Sequence, residues 1–439
     1  MILILTTSIT PRIQYIFSLL LKEILGLEFS LITSREEWIA FQGPKFIYAK
    51  EVDGDALFIE SSGLLFETGI FPHELKTTMQ DGIPVLFLTE NRRSALPFDP
   101  FAAAFYMVSR YEEYHREKKD KYGRFMVSES IAWKGKFFDM PVVHHWTAVL
   151  ESVLVKHFPG IPVRHTQYCF IPTIDIDHAY AYRGRKLTRS LGGIGRSLVN
   201  ADFAGIILRT KVLWGLARDP YDNYDYICRI HKEYGLMPLF FILFADYGGN
   251  DNQISLKNKD FRKLLRTLDQ VGSVGIHPSL SSNRHMEKLI SECRGLSDVL
   301  DRDVVISRQH FLKISFPKTY LNLIQKGITD DYSMGYASHI GFRAGIAIPY
   351  FFFDLSRNEA SNFRIHPVAV MDVTLKEYLR LNPQQAKETI RKVIQKIKSV
   401  NGTFVSIWHN ESLSDIGRWK DWRAVYEALL REATGQASS

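Results

Sequence analysis

Cysteine is scarce in this sequence, and the scarcity excludes several chemistries before any motif is considered. The thiols are Cys169, Cys228 and Cys293. Widely spaced, odd in number and without a CxxC pattern, they argue against a disulfide framework and a thiolate zinc site, and fit a reducing cytoplasm. No stretch approaches the roughly 18 consecutive apolar residues of a membrane-spanning helix. The opening MILILTTSITPR lacks a basic n-region and meets Pro-Arg where a secretion signal would stay apolar. It is therefore read as a buried first strand, and the chain as one that is not exported. Internal repeats and low-complexity tracts are also missing, which removes solenoids and disordered scaffolds.

What remains is a chain of 439 residues, 46% hydrophobic, 13% aromatic and 23% charged, the composition of a globular enzyme. That length exceeds one ordinary core, so two domains are expected. Residues 1–160 mix short β-like runs (MILILTT, KFIYAK, ALFIE, VLFLTE) with the helical PRIQYIFSLLLKEILG, a smaller α/β domain. Within it, FDPFAAAFYMVSRYEEYHREK predicts a helix capped by Asp99, with Arg110, Glu112 and Glu113 on a solvated polar end. HFPGIPVRHTQ at 157–167 has the Pro and Gly punctuation of a boundary. From 165 to 435, strand-like YCFIPTIDID, LFFILF, VGSVGIHP, VVISRQHF, GIAIPYFFF and GTFVSIWH alternate with helical segments. That rhythm predicts a parallel sheet, open or closed into a barrel.

Four strand ends carry titratable groups. In TIDIDH the two-residue period puts Asp175 and Asp177 on one face at the C-terminal end of an apolar strand, where parallel α/β folds build their sites. Two adjacent carboxylates repel unless a cation or a shared proton relieves them. GIHPSLS places His277 in an equivalent position, and Asp with neutral imidazole is a natural zinc donor set. Arg308 and His310 share a face at the end of VVISRQH, the arginine suited to orienting a carboxylate by a bidentate contact. His409 closes SIWHN. Each also has a structural reading: capping aspartates, and histidines satisfied within a core.

With these residues in hand, the segment from about 165 to 430 resembles the polysaccharide deacetylases, carbohydrate esterase family 4, whose fold is an irregular (β/α) barrel. The resemblance implies Asp175 as general base, Asp177 and His277 as metal ligands, Arg308 as the arginine that holds the base, and His409 as general acid. It implies a divalent ion, zinc foremost, and an N-acetylated sugar or glycan as substrate. GFRAG at 341–345 resembles the family's later arginine motif, which offers Arg343 as a partner for Asp175 or Asp331. The front segment DPFAAAFYMVSRYEEY resembles a bacterial subgroup linked with surface-polysaccharide synthesis. Two departures stand out. The position four after His277 is Ser281 rather than a second histidine, and His285, eight residues on, would lie about 12 Å along a helix, too far to share the ion. His310, where the family has a proline after its arginine, is the preferred third ligand. Asp372 in HPVAVMDVTL is read as structural.

Two other functions fit the same residues. A glycosidase also uses paired carboxylates, but across a sugar ring, about 5 to 9 Å apart and drawn from different strands. A metal-free barrel would be a glycan-binding module in a biosynthetic assembly. Separately, Arg183, Arg185, Lys186, Arg189, Arg196, Arg209, Lys211 and Arg218 face one acid, Asp202, a surplus equal to the whole chain's +7. Interleaved with apolar residues and Trp214, the 183–218 stretch reads either as a peripheral contact with an anionic membrane or lipid-linked glycan at the cytoplasmic face, or as an amphipathic insertion packed on the barrel. Nucleic acid is not expected, since no recognition module accompanies the charge.

Overall fold

A computed structural model describes residues 1–52, 54–115, 118–184, 203–244, 254 and 258–436. The first part of the chain forms a parallel four-stranded sheet in the order β2-β1-β3-β4. Its strands are β1 (Ile2–Thr6), β2 (Phe29–Ile32), β3 (Lys45–Ala49) and β4 (Phe58–Glu60). A hairpin follows, β5 (Thr78–Gln80) with β6 (Ile83–Val85). Thr10 caps the helix Pro11–Phe17, with Pro11 at a position where its missing N–H costs nothing. Asp99 caps the helix Pro100–Val108 through Phe101 N and Ala102 N, as its position before Pro100 predicts. That helix is buried on every side, and so is its expected solvated end.

The rest of the chain builds a nine-stranded sheet in the order β12-β13-β11-β10-β9-β8-β7-β15-β14. Its strands are β7 (Cys169–Ile176), β8 (Leu239–Leu243), β9 (Ser273–His277), β10 (Ile306–Ser307), β11 (Asp330–Met334), β12 (Tyr350–Asp354), β13 (Glu359–Pro367), β14 (Val370–Met371) and β15 (Thr403–His409). All neighbours pair in parallel except β12, which runs antiparallel on the edge beside β13. The sheet curls into an open half-barrel, so the barrel expectation holds in this coarser form.

Alternation along the strands gives each face its role. On β7, Ile174 and Ile176 join the large core that continues under the first sheet, while Thr173 and Asp175 face the other way. The concave side holds a small second core of Phe241, Leu312, Tyr332, Val405 and Ile407. Gly275 belongs to that inner row. A Cβ there would lie 2.7 Å from the carbonyl oxygen of Ile306, so only glycine lets β10 come this close.

The two parts of the chain share buried contacts. Tyr15 packs on Phe353 at 5.1 Å and donates to the Phe351 carbonyl at 2.7 Å. The residues expected on a solvated helix end form a buried ionic network instead. Arg110 donates to Glu112 at 2.7 Å and to Glu113 at 2.9 Å, and Arg343 grips Glu113 through Nε and Nη2 at 2.9 and 2.5 Å. Burial alone would raise the Glu113 carboxyl, but Arg343 and Arg110 outweigh it and hold the group below the ordinary carboxylate range.

Removing the shared buried carboxylate leaves Arg343 without a carboxylate partner and Arg110 with Glu112 alone, so Glu113→Ala is expected to cost about 3–5 kcal/mol in denaturant unfolding. Because the folded value is depressed, Glu113 contributes its stability above its unfolded value of about 4.3 and loses it as pH falls further. The denaturant midpoints of variant and parent should therefore lie far apart at neutral pH and converge as unfolding is repeated at successively lower pH.

Candidate functional site

Asp175 and Asp177 leave the C-terminal end of β7, with Asp175 in register with His409 on β15 and with Phe241 on β8. His277 ends β9 beside Leu243. Arg308 follows β10, a strand of two residues, and its amide donates to the Ile276 carbonyl at 3.0 Å. His310 is not on a strand face as its spacing predicts. It opens a 3-10 turn whose next residues, Phe311 (φ 61°) and Leu312 (φ 53°), adopt left-handed backbone angles. Bulky side chains in that region are strained by about 1–3 kcal/mol each, a cost the surroundings must offset. The Phe311 ring stacks on His310 at 4.1 Å, and Tyr122 stacks on Phe311 at 4.9 Å.

Asp177 is the meeting point. Nε2 of His277 lies 3.4 Å from its Oδ1, while Nε2 of His310 and of His409 lie 3.7 and 3.9 Å from its Oδ2. Nδ1 of His277 sits 2.6 Å from the Arg308 carbonyl oxygen, which can only accept, so Nδ1 carries the proton. In the neutral ring, Nε2 then points a lone pair at the carboxylate. Asp177 Oδ1 is buried and receives no hydrogen bond. A lone pair facing an orphaned carboxylate oxygen is unfavourable unless a cation sits between them. Single donor atoms of Asp177, His277 and His310 lie within 4.8 Å of one another. Two imidazoles and a carboxylate fit a divalent transition ion that keeps a further position open. Burial would raise the Asp177 carboxyl, but the charges of His310 and His409 hold it well below the usual range.

Around this cluster the remaining groups have defined partners, apart from Nη2 of Arg308, which is buried and has none. Arg308 is fully buried. Its Nη1 donates to Asp175 Oδ1 and to Thr173 Oγ1, both at 2.6 Å, and its guanidinium lies over the Phe241 ring at 4.4 Å. Asp175 also approaches His277 Nε2, at 3.9 Å. Nδ1 of His409 faces Asp372 Oδ1 at 2.8 Å, and the second Asp372 oxygen accepts from the His409 amide, also at 2.8 Å, and from Ser412. Desolvation opposes the imidazolium, yet Asp372, with help from Asp177 and Asp175, raises His409 to about 10. A dication facing the same carboxylates would draw that value down.

The cluster opens into a cleft of about 340 Å³ whose mouth includes Tyr378 and Trp419. Arg343 lies elsewhere. Its guanidinium serves Glu113 and the Gly335 carbonyl, so it does not hold Asp175 or Asp331 as expected; a buried carboxylate satisfies its fork first. Asp331 is instead bonded by Ser307 and Ser333. Asp372, read from the sequence as structural, is the residue the sequence underrated. Of the basic 183–218 stretch, Arg185, Lys186, Arg189, Arg196 and Asp202 lie outside the described residues. Among the described residues, no helix is long and apolar enough to cross a membrane.

Because the folded value of His409 stands above the ordinary 6.5, its contribution to stability is complete below that pH and fades as pH climbs through about 10. Asp372→Asn removes the principal cause. Histidine-resolved NMR titration should find the His409 pKa lowered in this variant, with those of His231 and His366 unmoved.

Residues 2–159 match a family of unknown function, DUF7033. No curated protein matches the chain. Among solved structures it is similar to a protein assigned by name to the polysaccharide deacetylases in Mycobacterium smegmatis, at 14% identity and TM-score 0.41, over 61% of this chain and 84% of that one. A second, so assigned in Pseudomonas aeruginosa PAO1, is 10% identical over 62% of this chain and 86% of its own, with TM-score 0.38. The polysaccharide deacetylase of Bacillus cereus is 10% identical over 60% and 86%, with TM-score 0.28. Identities and superpositions this low transfer neither a residue nor an activity, which rest on the geometry above.

Proposed function

We propose that the protein is a metal-dependent hydrolase that removes the N-acetyl group from an amino sugar or glycan, in the setting of bacterial surface-polysaccharide synthesis. The observation that carries this reading is the lone pair of His277 Nε2 turned toward the unsatisfied Oδ1 of Asp177. Asp177, His277 and His310 would hold a divalent ion, zinc best matching the donor set, which when bound acidifies water and polarises the acetamide carbonyl.

Asp175 then takes a proton from the attacking water, its carboxylate fixed by the Arg308 guanidinium. His409, kept protonated by Asp372, donates to the amide nitrogen as the C–N bond breaks. Acetate and a free amino sugar are released. The two-carboxylate glycosidase fits less well, because Asp175 and Asp177 both approach the same imidazole nitrogen rather than standing apart across a sugar ring.

The test is acetate release from N-acetylated glycans by zinc-loaded protein, with bound zinc measured in parallel. His277→Ala is expected to lose both zinc and activity. His409→Ala should keep zinc and lose about 100- to 10,000-fold in kcat. Zinc retained by His277→Ala at full affinity would contradict the assignment.

The described end of the basic stretch adds a proposal about location. The helix Phe203–Leu213 and the turn after it expose Phe203, Ile207, Leu213, Trp214 and Leu216 alongside Lys211 and Arg218. An apolar face edged by cations suits the surface of an anionic bilayer. Cosedimentation with phosphatidylglycerol vesicles, but not with neutral phosphatidylcholine vesicles, is the expected result, and Trp214→Ser with Leu216→Ser should weaken it.

A further inference from the structure

Beside the cleft lies a knot of positive charge with Lys313 at its centre. Lysine is almost never fully buried unless it is paired. Lys313 is 5% exposed, yet among the described residues its ammonium has no hydrogen bond and no ion pair. The charges acting on it include Arg284, from the loop after β9, and Lys119, from the front part of the chain. Both are exposed and have no carboxylate partner among the described residues. Desolvation, Arg284 and Lys119 all push the Lys313 ammonium below the ordinary lysine range, and Asp120 offsets them only in part.

Contacts hold this arrangement from three directions. The turn at Gly123 lies against the ammonium, since a Cβ on Gly123 would stand 3.4 Å from Lys313 Nζ. Lys119 enters the same turn through its antiparallel bridge to Phe125. Asn283, next to Arg284, donates through Nδ2 to the Lys313 carbonyl at 3.0 Å. Asp120 is the acid at hand, and its oxygens are already taken. Arg124 Nε donates to Oδ2 at 2.6 Å, and the amides of Tyr122 and Arg124 donate to Oδ1, both at 2.9 Å. Lys121, exposed on the rim of an adjoining cavity of about 590 Å³, adds charge of the same sign. A buried ammonium facing further cations destabilises the fold unless an anion completes the cluster.

The size of the surplus decides between anions. Lys119, Arg284 and Lys313 each bring a positive charge, while Asp120 is matched by Arg124. A carboxylate, with a single charge, leaves most of that surplus standing. A phosphate group carries about −1.5 to −2 near neutral pH and presents three acceptor oxygens, enough for all three cations. The cluster also sits at the edge of the metal cleft. Lys313 follows His310 by three residues, a chain span of at most about 11 Å. Tyr122, next to Gly123, stacks on Phe311, and both rings line the cleft.

We propose that Lys119, Arg284 and Lys313 form a phosphate-binding site at the edge of the cleft, for a phosphate group either free in solution or carried by the sugar in the cleft. The phosphate site itself does not rest on the deacetylase reading. Through Lys119 it gives the front part of the chain a ligand-binding role.

Calorimetry on zinc-loaded full-length protein at constant ionic strength, with inorganic phosphate, N-acetylglucosamine 1-phosphate and N-acetylglucosamine as probes, tests the site without reading turnover. Inorganic phosphate is expected to bind. Lys313→Met and Arg284→Gln should each weaken it at least about tenfold, the loss of one charge-assisted hydrogen bond, whereas Lys313→Arg should retain it. If the sugar carries the phosphate, the 1-phosphate binds tighter than inorganic phosphate, and Lys313→Met weakens both. Equal or weaker binding of the 1-phosphate identifies free phosphate as the ligand. Phosphate held by the zinc ion instead would be insensitive to Lys313→Met and Arg284→Gln. That result, or no phosphate binding by wild type, overturns the site. Thermal melting provides the check on folding: phosphate should raise the Tm of wild type but not of Lys313→Met, whose Tm without phosphate should be no lower than that of wild type. A Lys313→Met protein that melts well below wild type without phosphate would mean that the ammonium is already paired, and contradicts the proposal.

Discussion

The hydrogen bond from His277 Nδ1 to the Arg308 carbonyl fixes more of this molecule than its length of 2.6 Å suggests. It sets the tautomer, so in the neutral ring the other nitrogen presents a lone pair toward Asp177. The same Arg308 whose main chain orients the ligand uses its side chain to hold Asp175. On the proposed reading, one residue just after a two-residue strand would thus couple the metal-binding half of the site to its proton-accepting half. The close approach of β10 to β9 that permits this depends on Gly275.

On the opposite side, Asp372 does for His409 what the Arg308 carbonyl does for His277, but with a charge. A carbonyl fixes which ring nitrogen carries the proton and leaves the other to face the cluster; a buried carboxylate favours the imidazolium and fits it to donate. Two histidines that approach different oxygens of the one Asp177 carboxylate thus receive, on the proposed reading, opposite chemical roles from what lies behind them. His310 belongs with the first kind by position. Its placement relies on a strained turn propped by the Tyr122–Phe311 stack and by Arg124, so residues more than 180 positions upstream help shape the site.

Much of this was legible in the sequence, for a physical reason. Period-two alternation in apolar strands announces which side chains share a face, and it put Asp175, Asp177, His277 and His409 at strand ends without any tertiary information. The same rule failed after β10, where Arg308 and His310 sit beyond the strand and backbone strain rather than pleat directs His310. Asp372 was underrated because β14 is two residues long and gives no periodic signal. Arg343 and Glu113 are 230 positions apart, and a long-range buried ion pair leaves no local trace; Glu112 and Glu113 resemble a solvated helix end until the fold closes over them.

The central claim is that Asp177, His277 and His310 form one cation site. Anomalous diffraction at the zinc edge from crystals of the full-length protein grown with zinc tests it most directly. The account predicts a single strong peak among Asp177 Oδ, His277 Nε2 and His310 Nε2. A strong peak at any other set of donors, with none at this one, would contradict it.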